Sequence, residues 1–212
     1  MFFDGWQGLT RLIAVGIPAY LALLLLLLLI AEVAVGLVQA GTAALMNLLV
    51  EATRLLVFAG LLWGAFAATG AALVFQGIGL VGGASERDSL AVVAPVTEEL
   101  TKGAFLILLL WWRRHELDGV LDGIVYAGMV GVGFAFTENI LYLAAAYDGT
   151  DGLGPGGTTA LTVTFIVRCL ISPFAHPFFT AFIGIGVGLA IASRRMLVRV
   201  LAPVVGSVLA AF

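Results

Sequence analysis

The sequence predicts an all-α integral membrane protein, a polytopic bundle of six or seven transmembrane helices that form a single membrane-embedded domain over residues 1–212. Three observations predict this class: 62% of the residues are hydrophobic, only 11% are charged, and long apolar runs recur along the chain. Soluble domains carry about 25% charged residues and could not bury so much apolar surface. We therefore expect the chain to lie in the lipid bilayer, and its net charge of −3 offers no basic patch for nucleic acid.

The apolar runs set the number of spans, because a helix needs about 20 apolar residues to cross the hydrocarbon core. Residues 12–50 as one helix would reach roughly 58 Å, which is too long for one crossing. A break is therefore predicted near Glu32 or near residues 39–42, and the choice leaves six or seven spans open. The predicted spans are Leu12–Ala31, Val33–Val50, Leu55–Val81, Glu98–Trp112, Asp122–Tyr147, a stretch ending near Ala192, and Met196–Phe212.

Along the chain, residues 1–82 hold the N-terminal spans, residues 95–193 hold the motifs with polar side chains, and residues 196–212 hold the final span. The N-terminus lacks the basic segment of a signal peptide, so we expect a retained first span. The final span stops at Phe212 without a polar end, which is typical of a truncated chain. The single cysteine, Cys169, excludes an intrachain disulfide and is expected to be a buried core residue.

The arginines predict the orientation, because short cytoplasmic loops of membrane proteins are rich in Arg and Lys. The loop at residues 148–157 has two aspartates and no basic residue, so it should face outside. With seven spans the N-terminus is cytoplasmic, and seven of the ten basic residues then lie on the cytoplasmic side. These seven are Arg11, Arg54, Arg113, Arg114, Arg194, Arg195 and Arg199.

Polar side chains from three predicted helices lie at one depth. At 1.5 Å per residue, Glu98 and Glu99 are roughly 20 Å from the cytoplasmic end of their helix. On the same scale Glu138 and Asn139 are roughly 25 Å from theirs, and His176 is roughly 27 Å from its own. Ionisable groups at such a depth normally face one another or a water-filled cavity. The sequence therefore predicts a polar site in the outer half of the bilayer.

Two cations and several glycines support this site. Lys102 follows Glu99 by three residues and Glu98 by four, so it shares their helix face. Arg168 is expected to act as an ion-pair partner or as an interfacial anchor. Small residues at 128–135 and 184–188 would let the helices that carry Glu138 and His176 approach closely.

Three motifs resemble those of the PrsW family of intramembrane proteases. They are EELTK at residues 98–102, DGIVYAGMVGVGFAFTENILY at 122–142 and RCLISPFAHPFFTAFIGIGVG at 168–188. The resemblance covers residues 95–188 and implies a polytopic helical protein of a prokaryotic cell membrane. It also implies hydrolysis of a peptide bond in a membrane-anchored substrate, of which anti-sigma factors are the best-known class, on the extracytoplasmic side.

The pattern is more distantly similar to the CAAX prenyl protease and bacteriocin-immunity superfamily. That group has a double glutamate, then a phenylalanine with a histidine four residues later, then a histidine with an asparagine four residues later. The double glutamate is present here and Phe134 matches, but Glu138 stands where a histidine would be. His176 matches the third motif, but Thr180 replaces the asparagine. These departures argue against prenylated substrates.

Amide hydrolysis needs an activated water, a stabilised oxyanion and a proton donor for the leaving amine. Either Glu99 or Glu98 is expected to take the proton from water, while the other orients it or pairs with Lys102. His176 is expected to polarise the scissile carbonyl group or to help bind water. Asn139 is expected to donate to the oxyanion.

A zinc ion is the alternative source of activated water. Glu99, Glu138 and His176 would hold it, since zinc accepts carboxylate oxygens and imidazole nitrogens. The sequence leaves a glutamate-type and a metal-dependent protease open.

The same polar residues could instead have structural roles. Glu98 and Glu99 follow Thr97, so an N-cap with first-turn acids could account for them. Asn139 could make only an interhelical hydrogen bond, and His176 could be a packing residue. At the level of function, buried carboxylates and a histidine also suit a proton- or ion-coupled transporter, and a non-catalytic scaffold or immunity-type protein is a third class.

Overall fold

A computed structural model describes residues 20–21, 24–29, 47–83, 85–150 and 154–212. Every regular element in these ranges is helical, which confirms the all-α class. Most of the predicted spans Leu12–Ala31 and Val33–Val50 lies outside the described residues, and so do the two candidate breaks between them. The number of spans therefore stays a prediction.

Residues 20–21 and 24–29 are helical, and from Asn47 to Ala211 the described elements are α-helices together with three π-helical segments and one short 3₁₀ segment. The α-helices are α1 (Asn47–Leu62), α2 (Thr69–Val81), α3 (Glu86–Asp88), α4 (Ala94–Trp112), α5 (Val120–Asp148), α6 (Thr158–Phe165), α7 (Ala175–Ala192) and α8 (Met196–Ala211). The π segments are Trp63–Ala68, Ser89–Val93 and Ile166–Ile171, and the 3₁₀ segment is Arg114–Glu116.

Among the described residues, three helical stretches are long and apolar enough to cross a membrane: Arg54–Val81, Val120–Asp148 and Thr158–Ala192, the last of which is interrupted at residues 172–174. The first two match predicted spans within a few residues, and the third ends at Ala192, near the predicted end of a stretch whose start was left open. Helix α8 is apolar but shorter, with 16 residues. Helix α4 has 19 residues and carries three charged side chains in its N-terminal half, although the rest of it is apolar.

The chain forms two compact units, of which the first combines residues up to Ala52 with Asn139–Ile171. In this unit, Gly149 follows the end of α5, and Gly156 and Gly157 precede the start of α6. Gly157 N donates to Tyr147 O at 2.7 Å, and Gly149 and Gly156 have positive φ angles of 69° and 77°. Glycine tolerates this left-handed backbone, so these glycines allow the two described ends of the predicted glycine-rich loop to meet.

The second unit combines Thr53–Glu138 with Ser172–Phe212, and its helices α5 and α7 meet backbone to backbone. A Cβ atom on Gly123 would overlap the carbonyl group of Gly184, and one on Gly131 would lie 2.8 Å from Pro177 Cα. The pairs run in opposite directions along the two helices, so α5 and α7 are antiparallel. The predicted close approach of the helices that carry Glu138 and His176 is confirmed.

Helix α5 also packs against the π segment that joins α1 to α2. A Cβ atom on Gly64 would overlap the carbonyl group of Val130, and Thr137 Oγ1 donates to Ala65 O at 2.6 Å. Trp63 Nε1 donates to Thr101 O of α4 at 2.9 Å. These contacts bring α4, α5 and the π segment together close to the predicted polar residues.

The glycine contact between α5 and α7 yields a stability prediction. We expect Gly123→Ala to lower the stability of the folded protein by about 1–3 kcal/mol, because its Cβ meets backbone that can move only if a helix moves. Gly128→Ala is the matched control on the same helix, since nothing lies within 4 Å of its Cβ position. Thermal unfolding of both variants in one detergent measures the difference, and equal stabilities would contradict the close contact.

Candidate active site

Helix α4 carries the two glutamates deeper in the helix than the sequence suggested. It begins at Ala94, and helical structure continues upstream through the π segment Ser89–Val93, so no acidic residue lies in its first turn. Thr97 Oγ1 donates back to Val93 O at 2.7 Å instead of capping the helix. The N-cap interpretation of Glu98 and Glu99 is therefore wrong, because the helix starts before them.

Lys102 lies at the centre of the polar cluster and is fully buried, with 0% exposure. Its Nζ atom lies 2.6 Å from Glu99 Oε1 and 3.6 Å from Glu98 Oε2. The ring of Phe134 covers the same atom, with its centroid 3.9 Å away. The two carboxylates and the aromatic face thus replace the water that a buried ammonium group loses.

His176 connects α4 to α5 through both ring nitrogens. Nδ1 lies 3.0 Å from Lys102 Nζ, and Nε2 lies 2.7 Å from Glu138 Oε2. An ammonium group has only donors, so Nδ1 accepts from Lys102 and the ring proton belongs on Nε2, which donates to Glu138. His176 is the second residue of α7, so the predicted meeting of three helices at these side chains is present in the structure.

Glu98, Glu138 and His176 form a group that could hold a metal ion, since one ligand atom from each lies within 4.8 Å of the others. Two carboxylates and one imidazole are a donor set that zinc accepts, so the residues fit the ion by chemistry and by proximity. The structure places Glu98 in this group where the sequence suggested Glu99. Adjacent residues on a helix point about 100° apart, so the two glutamates cannot take the same position.

Glu99 has a different environment. One of its oxygens binds Lys102, while the other, Oε2, is buried and has no hydrogen-bond partner among the described residues. The hydroxyl group of Thr180, one turn after His176 on α7, is likewise buried without a described partner. Polar atoms in this condition are uncommon inside proteins and often belong to functional sites.

Gln76 is a residue near the site that the sequence reasoning missed. Its Nε2 atom donates to Glu98 Oε1 at 3.4 Å from α2. The available signal was a lone amide within the otherwise apolar helix α2, which spans Thr69–Val81. A fourth segment of the second unit thus contacts the acidic pair.

Asn139 and Arg168 contact each other in the first unit. Arg168 Nε donates to Asn139 Oδ1 at 2.8 Å, and the guanidinium carbon lies 3.8 Å from the ring centroid of Tyr142. Arg168 therefore acts as a hydrogen-bonding partner inside the protein. Cys169 beside it is buried, as expected. The role of Asn139 as an oxyanion donor stays a prediction.

Comparison with known proteins finds related sequences. A sequence model described as "PrsW family intramembrane metalloprotease" matches residues 51–212, which include every residue of the cluster. The chain is also 33% identical over 107 residues to a protein named Protease PrsW from Geobacillus kaustophilus (strain HTA426). That alignment covers 50% of this chain and 41% of the relative, so the chain spans about two fifths of the relative's length. No solved structure matches the chain.

The ligand geometry predicts which variants lose metal affinity. We expect Glu98→Gln, Glu138→Gln and His176→Ala each to weaken zinc binding by more than about 100-fold, because outer-shell changes already cost about 10–100-fold. Glu99→Gln should cost much less, since Glu99 is bound to Lys102 instead. Competition with a chromogenic zinc chelator measures this order, and a larger loss in Glu99→Gln than in Glu98→Gln would reverse the assignment.

The buried ammonium predicts a stability effect that is separate from metal binding. Lys102→Met should destabilise the protein by about 3–5 kcal/mol, because it leaves the Glu99 carboxylate buried and unpaired. The double variant Lys102→Met/Glu99→Gln should recover part of this loss, since it removes both charges. Chemical denaturation in detergent measures the three proteins, and a double variant less stable than Lys102→Met would contradict direct pairing.

Proposed function

Because the chain belongs to the PrsW family of intramembrane metalloproteases, we propose that it is an endopeptidase that cleaves membrane-anchored proteins, such as anti-sigma factors, at the cluster of Glu98, Glu138 and His176. The observation that carries the proposal is that these three side chains, from three helices of the second unit, place ligand atoms within 4.8 Å. A structural ion pair needs only two partners. A hydrolytic site must both bind a water molecule and remove its proton, and a third side chain with a ligand atom suits that task.

The contacts of each residue in the cluster suggest its role in hydrolysis. Glu98 and Glu138 bring negative charge to the place where a water molecule is activated. Lys102 donates to His176 Nδ1 and thereby fixes the side of the ring that faces Glu138. Gln76 donates to Glu98 and limits the rotation of that carboxylate. Glu99 is the proposed proton acceptor, because its Oε2 atom is free of described partners.

The donor set supports the metal-dependent version of the mechanism over a purely glutamate-type one. Glu98, Glu138 and His176 would hold a zinc ion. When bound, zinc supplies a Lewis acid that polarises water and the carbonyl oxygen of the scissile bond. The chain's own part is then to hold the three donors in place through Lys102 and Gln76, and to accept and return a proton at Glu99.

The proposed cleavage site lies near the extracytoplasmic face of the membrane. His176 is at the start of α7, and Arg194 and Arg195 follow its other end. Eighteen residues of helix separate the two ends, or roughly 27 Å at 1.5 Å per residue. If the arginines lie on the cytoplasmic side, as the positive-inside rule predicts, the cluster lies in the outer half of the bilayer.

Cleavage of a single-pass peptide by the protein in liposomes tests the proposal. The wild type should cut the peptide in its extracytoplasmic half, as mass spectrometry of the products would show. Glu99→Gln should lower the rate by about 10²–10⁴-fold, the usual contribution of a general base. His176→Ala should abolish cleavage, whereas His115→Ala, which changes the exposed second histidine, should leave it unchanged.

A chelator separates the two versions of the mechanism. Loss of cleavage after chelation, with recovery on addition of zinc, supports the metal-dependent form. Cleavage that resists chelation would leave the glutamate-type form. An intact peptide together with ion uptake into the liposomes would instead support a transporter and refute the protease.

A further inference from the structure

An apolar groove with a volume of 360 Å³ lies between α7 and α8, apart from the polar cluster. Sites for small molecules usually have volumes of about 300–1,000 Å³. The groove is lined by apolar residues from both helices, and those on α8 include Leu197, Leu201, Val205 and Leu209. All four of these side chains are exposed at the surface of the protein.

Glycines on both helices create the groove. A Cβ atom on Gly186 would overlap the carbonyl group of Ala202, and one on Gly206 would overlap the carbonyl group of Phe182. The two helices therefore touch along their backbones, and the longer side chains beside this contact form the walls. The result is an open apolar groove along the helix pair, which on α8 extends from Leu197 to Leu209 and could receive an extended hydrocarbon chain.

Arginines lie at the turn where α7 ends and α8 begins. Arg194 and Arg195 lie in the turn, and Arg199 lies one turn into α8. Arg199 Nε donates to Ser193 O at 3.0 Å, which holds its guanidinium group next to the turn. Among the described residues, no acidic side chain forms an ion pair with these three arginines. Their positive charge is therefore available to an external anion.

The apolar walls begin beside these arginines. Leu189 precedes Ser193 of the turn by four residues, and Leu197 follows the turn at the start of α8. One ligand could thus meet three cations at one end and only hydrocarbon along the rest of its length. A water-soluble phosphate would leave the groove empty, and a neutral lipid would leave the arginines unpaired.

We propose that the groove between α7 and α8 binds an anionic phospholipid, with an acyl chain in the groove and the phosphate group at Arg194, Arg195 and Arg199. The predicted orientation places this turn on the cytoplasmic side, where anionic lipids attract basic residues. The site is independent of the proteolytic cluster and does not depend on the proposed activity.

Titration of the delipidated full chain in detergent tests this proposal, with native mass spectrometry to count bound lipids. The probes are dioleoyl-phosphatidylglycerol and dioleoyl-phosphatidylcholine, which share acyl chains and differ in net charge. The wild type should bind phosphatidylglycerol preferentially. Each arginine removed should weaken binding about fivefold, so the Arg194→Gln/Arg195→Gln/Arg199→Gln variant should lose about 100-fold.

Two matched controls distinguish a defined lipid-binding site from nonspecific attraction of anionic lipid to the protein. Arg113→Gln/Arg114→Gln removes positive charge from a different loop and should leave phosphatidylglycerol binding unchanged. Val205→Trp fills the groove and should weaken binding, whereas Val208→Trp changes an equally exposed residue of α8 outside the lining and should not. Equal affinity of the wild type for both lipids would overturn the proposal. Equal losses in the two arginine variants, or in the two tryptophan variants, would also overturn it.

Discussion

A buried lysine places the strongest constraint on this structure. The ammonium group of Lys102 has no exposure to solvent, and hydrocarbon cannot replace its hydration. It is instead held by a carboxylate 2.6 Å away on its own helix, an imidazole nitrogen 3.0 Å away on α7 and an aromatic ring on α5. Helices α4, α5 and α7 must therefore meet at this point, and the acids proposed for catalysis lie beside it.

Close helix packing makes that meeting possible. The polar side chains are short compared with the usual distance of about 8–10 Å between helix axes. At Gly123 and Gly184 the helices α5 and α7 touch through their backbones, and Gly64 gives the π segment Trp63–Ala68 the same access to α5. The buried charges thus determine which side chains must pair, and the glycines let the helices approach closely enough for those side chains to make contact. Neither alone would produce a cluster with ligand atoms within 4.8 Å of one another.

The sequence predicted the helices and the members of the cluster better than the contacts between them. Long apolar runs indicated Arg54–Val81 and Val120–Asp148 within a few residues, because a helix that crosses a bilayer has a strong compositional pattern. Depth, counted from the arginines, grouped Glu138 with His176. The sequence suggested Glu99 as the acid beside them, whereas the structure has Glu98 there, since that choice depends on the rotation of α4. It also held no sign of the π segments, because each has only five or six residues, about one turn, which is too short to set a periodic pattern.

The interruption before α7 has a consequence for hydration. Helical structure stops at Ile171 and resumes at Ala175, and Pro173 lies between them. Backbone groups freed by such a break cannot remain exposed to acyl chains, so they lie against protein or line an aqueous cavity. His176 follows this break closely, as the second residue of α7. The break at Pro173 therefore places backbone groups that need water or protein partners close to His176, next to the proposed site of hydrolysis.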